Sequence, residues 1–471
     1  MQTLTYKQLI TENRNFRNLL AGQFISELGN WFNFIAGLGL VRLVSDASPT
    51  AAGIFFVCRL VPFAIASPIA GTFVDRFSRR QVMIITDLAR VAVALMFLLV
   101  TSADRLWIAY IATVLLSTFG AFFDGAKNAA TPNLTGKEGL LAGTALMFST
   151  RFLLMAVGSA LGGWAAAAFG YEVAFLINAA SFLVSAFTVW LIPDEATRDA
   201  ETGERMSGRA EKPSFMTEMR EGFRYSLANR FALTIILMNM IWATGGGAIN
   251  VIFERMGGIH FPLVEGWNPD VGVAMLWTSA GFGLAFGMLI SHRTSVWLDL
   301  NKGHSAFIGW TLIIHGIIFS LAGLMPTLLV FAIFSFVSRC IVGVEYAIQE
   351  TLFQRSLPDY IRGRISTLER GAELTIFGLS SYLASEAMYY ISPQTLTVIS
   401  GVLSAGSGVL WFTRHRGEKF TIGGPEKLDV EAAQASGSDD NGCRSGQLGK
   451  VLRIDRLDTT DPPDDLNNIL R

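Results

Sequence analysis

Charge is scarce in this chain. Only 16% of its 471 residues are Asp, Glu, Lys or Arg, and they balance to −1. That excludes the basic stripe a nucleic-acid binder needs, so no nucleic acid is expected as a partner. Cysteine is nearly absent. Cys58 and Cys340 fall inside apolar runs and Cys443 near the end of the chain, which leaves no disulfide framework and no metal site. There is no P-loop, no G-x-S-x-G and no cluster of His or Cys, so neither nucleotide hydrolysis nor acyl transfer has a place. No enzyme and no cofactor is expected. The first eighteen residues, MQTLTYKQLITENRNFRN, lack the apolar core and small-residue cleavage site of a secretory signal, so the first apolar run is expected to direct insertion itself.

What the chain has instead is apolar length. It is 51% hydrophobic with a mean hydropathy of +0.43, and a membrane-spanning helix needs ~20 mostly apolar residues because lipid satisfies no backbone polar group. Twelve windows qualify: 19–41, 51–70, 82–101, 106–128, 140–168, 171–192, 230–254, 271–291, 304–323, 327–348, 364–390 and 393–413. The fold class expected is an all-α membrane protein with twelve transmembrane helices in two six-helix, pseudo-repeated halves. The segments are then 1–18, an N-terminal tail; 19–192, the first bundle; 193–229, a polar linker; 230–413, the second bundle; and 414–471, a largely disordered tail rich in Gly, Ser and Asp. Within the linker, Phe215 to Leu227 has the spacing of an amphipathic surface helix.

Placing the N-terminus in the cytoplasm puts nineteen Lys and Arg in the inner connections against three, Arg42, Arg105 and Arg255, in the outer ones. The positive-inside rule therefore places both termini in the cytoplasm of an inner-membrane, multi-pass protein. Two polar connections that carry a proline, KNAATPNLTGKEG and QETLFQRSLPDYIRGR, hold corresponding places in the two halves. A six-plus-six chain with matching loops is the pattern of a transporter whose substrate site lies near the midplane between repeats.

Between the second and third windows runs GTFVDRFSRRQ, with Gly71, Asp75, Arg76, Arg79 and Arg80. This resembles the loop signature G-x-L-a-D-r-x-G-r-k of the major facilitator superfamily, with Phe73 replacing the Leu and Ser78 the second Gly. The resemblance implies a conformational latch that packs against the second half and helps hold the outward-open state. Gly71 would allow a sharp exit from the second helix. FRNLLAGQFISELGNWFNFIAGLGLV, DLAR and PDYIRGR are similar to the subfamily of enterobactin exporters and macrolide efflux proteins. GSALGG, with Gly158, Ser159, Gly162 and Gly163, is similar to the antiporter signature of the fifth helix, Ser159 replacing its proline. Its bland alternative is a small-residue packing face.

Charge at mid-bilayer costs a few kcal/mol and calls for a partner or a purpose. At 1.5 Å per residue, Glu27, Arg59, Arg151, Arg339 and Glu373 all fall near the midplane. In the resembled fold these helices line or flank the central cavity. Three cations and two acids there suit an anionic or catecholate substrate and proton exchange on a carboxylate, Glu27 or Glu373; the alternative is internal pairing. Asp87 and Arg90 are spaced to pair with each other, and Asp124 is placed to accept from the loop arginines. Asn239 and Trp242 are expected to line the cavity, beside a glycine run, Gly245–Gly247, that favours a break or hinge. The function expected is proton-coupled export of a small organic molecule, siderophore-like or macrolide-like, by a monomer surrounded by membrane lipids. An importer or lipid flippase on the same fold, or a non-transporting sensor or adaptor, are the alternatives.

Overall fold

The computed structural model describes residues 6–74, 76–197, 215–301, 303–416 and 418. Asp75, most of the first part of the linker and the tail 419–471 lie outside the described residues, and with them the expectation of disorder over 421–471. Among the described residues there is no strand. The helices are α1 (Tyr6–Thr11), α2 (Arg14–Val44), α3 (Pro49–Val74), α4 (Arg79–Met96), α5 (Leu106–Phe169), α6 (Tyr171–Trp190) and α7 (Phe215–Ala228), followed by α8 (Arg230–Arg255), α9 (Phe261–Glu265), α10 (Pro269–Asn301), α11 (His304–Ala322), α12 (Leu328–Ser356), α13 (Asp359–Ala387) and α14 (Pro393–His415).

Each of the twelve sequence windows falls on helix. The fourth and fifth share α5, which is broken at Gly136, where φ is 66° and a side chain would be strained. Its two limbs, Ala103–Gly136 and Glu138–Phe169, are separate candidate spans. Among the described residues ten helical spans, the two limbs of α5 included, are both long and apolar enough to cross a membrane. α2 and α13, at 31 and 29 residues, have the length without the apolarity. Their polar residues, Glu27 and Asn33 in α2 and Glu369 and Glu373 in α13, are directed into the protein, where they are buried or half-buried.

Packing repeats from one half to the other. In the first, α2 and α4 lie on α6 and α3 lies on α5; in the second, α8 and α11 lie on α14 and α10 lies on α12. Across the halves, α3 packs on α13 and α5 on α10. The glycine run of α8 corrects the expectation of a hinge: the helix continues through it, because Gly245 lies against Ser400 and Ser404 of α14 while Gly246 and Gly247 lie against Phe377 of α13. Any side chain there would collide with those neighbours. The irregular turn comes later, as a π-helix over Met256–His260. The amphipathic segment of the linker is α7, which packs on the start of α13, with Glu221 paired to Arg364.

Candidate functional site

The two halves are sealed together at the end opposite the described termini. Arg42, from the end of α2, reaches across to Asp270 of α10 and lies 3.8 Å from Glu254 of α8, all three largely buried. Tyr171 donates its hydroxyl to Asp270, 3.1 Å from Oδ2. Thr50 donates to Glu386 of α13 at 2.6 Å. Glycines bring the backbones close, since a Cβ on Gly53 would strike Ser385 and one on Gly163 would strike Ala274.

Beneath this ion layer lies an aromatic plug. Trp277 of α10 inserts between Trp31 and Phe34 of α2 and Phe253 of α8, at ring separations of 5.8, 5.1 and 5.4 Å. Such a cluster buries a large apolar area in tilted and edge-on contacts. On the other side of the plug, Arg151 and Arg370 each keep 49% of their side chains exposed.

Under the plug, polar side chains from both halves border the space between them. The guanidinium of Arg59 lies 4.4 Å from the ring centroid of Phe34, a cation–π contact directly below Trp277. It also lies in the field of Glu27 and Arg151. Glu27 is half-buried and accepts a long 3.4 Å hydrogen bond from Asn30. Arg151, with 49% of its side chain exposed, is 3.8 Å from Asp124, which Lys127 holds at 2.6 Å. Asp124 was expected to serve the loop arginines. It bridges the two limbs of α5 instead. In the second half, Asn239 donates to Glu369 at 2.6 Å, Trp242 packs 5.7 Å from Phe377, and Glu373 pairs with Arg370 at 2.7 Å.

Arg339 does not join this group. It is 6% exposed, wedged against Gly283 of α10 with its guanidinium 5.9 Å from Phe319 of α11, inside the second half. Depth along a helix put it among the midplane charges, but the direction of its side chain follows from packing. The buried pair Asp87–Arg90 forms as spaced, with Arg90 held between the rings of Phe123 and Phe182 at 4.5 and 4.4 Å.

The arginine-rich loop serves its own half. Arg79 donates to the carbonyl of Thr197 at 3.0 Å and Arg80 to that of Trp190 at 2.6 Å, while Arg76 is exposed. Ser78 caps α4, accepting from the Gln81 amide, and donates to Asp194. Gly71 corrects the expectation of an exit turn: it lies inside α3, with open space where a Cβ would be. Asp75 lies outside the described residues.

A family model described as Major Facilitator Superfamily matches residues 19–368, most of both helical halves. The chain belongs to the Major Facilitator Superfamily, a family of transporters. It is 26% identical over 368 residues to the uncharacterized MFS-type transporter YfiS of Bacillus subtilis, covering 76% of this chain and 83% of that one. It is 23% identical to macrolide efflux protein A of Enterococcus faecalis, covering 65% and 92%. The fold is similar to that of the nucleoside transporter NupG, with a TM-score of 0.67 at 12% identity over 85% of this chain and 100% of the other.

Within this major facilitator fold the GSALGG segment packs between helices. A Cβ on Gly158 would meet Trp31 at 2.8 Å and one on Gly162 the backbone of Phe32 at 3.1 Å, while Ser159 donates to the Met155 carbonyl. The segment brings the second limb of α5 against α2 and, through Gly163, against α10. Sequence reasoning passed over Asp270, Trp277 and Tyr171. Arg42 and Glu254 offered a partial signal, as two charges near the ends of helices in opposite halves.

Proposed function

We propose that this transporter exports a small organic molecule across the cytoplasmic membrane in exchange for protons, by alternating access. The observation that carries the proposal is the seal at one end: ions and aromatics join the halves there, while Arg151, on the other side of the plug, keeps 49% of its side chain exposed. With the terminus-bearing end in the cytoplasm, as the Lys and Arg count favours, this is the state in which an exporter loads. The similarity to a macrolide efflux protein supports the outward direction. Arg59 and Arg151 contact the substrate, and Glu27 exchanges the proton, its carboxylate lying in the field of Arg59 and accepting a long hydrogen bond from Asn30. Glu373 is the second candidate proton carrier, and its partner Arg370 makes it the weaker one. Asp75, Arg76, Arg79 and Arg80 act as the latch of the opposite state. The test is substrate-induced proton release from proteoliposomes carrying Glu27→Gln or Glu373→Gln. Loss of release in one variant, with substrate binding retained, is the expected outcome; unchanged coupling in both overturns the assignment.

A further inference from the structure

The two halves treat a buried arginine differently. In the first, Arg90 is 4% exposed, pairs with Asp87 one turn away and lies between the rings of Phe123 and Phe182. In the second, Arg339 is 6% exposed and lies against the ring of Phe319. Among the described residues it has neither an ion pair nor a hydrogen bond, and no carboxylate acts on it. A guanidinium does not shed its proton in a protein, so the charge remains. At this depth a cation without a counter-charge is costly.

Polar groups beside Arg339 are left over as well. His315 of α11, 1% exposed, lies in the field of Arg339. The hydroxyl of Ser338 has one proton, and the His315 Nδ1 at 2.6 Å is a closer acceptor for it than the His315 carbonyl at 3.3 Å. The ring's own proton is then on Nε2, which is buried and has no hydrogen-bond partner. Ser335, one turn before Arg339 on the same face of α12, is fully buried with its Oγ unpartnered. Phe319, one turn beyond His315, lies 6.4 Å from Phe331 and 5.9 Å from the Arg339 guanidinium, so its ring spans the turn of α12 that carries Ser335. A cation, an N–H and an O–H therefore stand on adjoining turns of two packed helices, with no acid among them. Donors in that combination, shielded from water, are satisfied by an acceptor that carries negative charge. On the third side α10 approaches closely, since a Cβ on Gly283 would meet that of Arg339 at 2.8 Å. The tight packing suits a monatomic ion.

We propose that the second half binds a chloride ion between α10, α11 and α12, held by the Arg339 guanidinium, the His315 Nε2–H and the Ser335 hydroxyl. The ion supplies the charge that Asp87 supplies in the first half. This site lies inside one half, apart from the space between the halves, so it stands or falls separately from the export reading. The test uses the purified full-length chain in detergent, exchanged into gluconate, with radiolabelled chloride in equilibrium dialysis. Saturable binding is expected, with bromide displacing the label and sulfate competing about tenfold more weakly or worse. Chloride should also raise the thermal transition over gluconate at equal ionic strength. Arg339→Met should abolish binding and the chloride dependence, and in gluconate it should melt above the unmodified chain, a gain that misfolding does not produce. Ser335→Asp, which sets a carboxylate one turn from Arg339 as Asp87 is set for Arg90, should do the same. No saturable chloride binding, or variants whose binding and melting follow chloride as the unmodified chain does, overturns the proposal.

Discussion

Asp270→Asn should shift the transporter away from the state described here. Asp270 accepts from Arg42 across the halves and from Tyr171, and it is about nine-tenths buried. The amide keeps the shape but loses the charge. Arg42 retains Glu254 at 3.8 Å, so the guanidinium is not left alone. The loss is therefore smaller than the ~3–5 kcal/mol of an orphaned buried charge. It is better taken as one charge-assisted hydrogen bond, ~2 kcal/mol. Because the contact exists only while this end is closed, the whole loss falls on the closed state, and ~2 kcal/mol changes the closed-to-open ratio about 30-fold. Spin labels at Leu43→Cys and Leu263→Cys, both exposed and in opposite halves, would report the ratio, with Cys58, Cys340 and Cys443 changed to serine. Pulsed dipolar spectroscopy should show a longer-distance population growing in the Asp270→Asn background. An unchanged distribution would refute the assignment of Asp270 as a latch.

Trp277→Ala should open the same end by removing the plug, and a loss of ~3–5 kcal/mol, as for large core truncations, should also appear as a lower thermal transition. Gly163→Val should do so by collision, because its side chain meets Ala274 and the Asp270 carbonyl; overpacking of ~1–3 kcal/mol would be read in the same spectra. Arg90→Met should destabilise the first half by ~3–5 kcal/mol by leaving Asp87 buried without its cation, and Asp87→Asn in the same chain should restore part of the melting temperature. Asp124→Asn should release Arg151 and Lys127 and raise the affinity of the first half for anions, measured by competition with an aromatic carboxylate.

The spans were legible in the sequence because lipid imposes length and apolarity on every helix. Their repeat was legible because the linker interrupts them midway. Helical rise alone gave Glu27, Arg59, Arg151 and Arg339 one expected depth. Rise says nothing about azimuth: Arg339 faces α10 and α11 because Gly283 opens a place for it. The glycines of α8 read as weakness in isolation and are close-packing positions in the fold, a distinction made only by Phe377, Ser400 and Ser404 on distant parts of the chain. Arg42 read as an ordinary loop cation because its partner, Asp270, lies 228 residues away. Loop arginines read as a latch between halves; in this state Arg79 and Arg80 bind carbonyls of their own half.

The central claim is a mid-depth site reached from one side at a time. It is tested most directly by labelling Arg151→Cys, in a chain whose native cysteines are serine, with a membrane-impermeant maleimide in inverted and in right-side-out vesicles. The account predicts labelling in inverted vesicles, protection in right-side-out ones, and loss of that protection when Asp270→Asn is added. Labelling from the outer side with the latch intact, or from neither side, would contradict it.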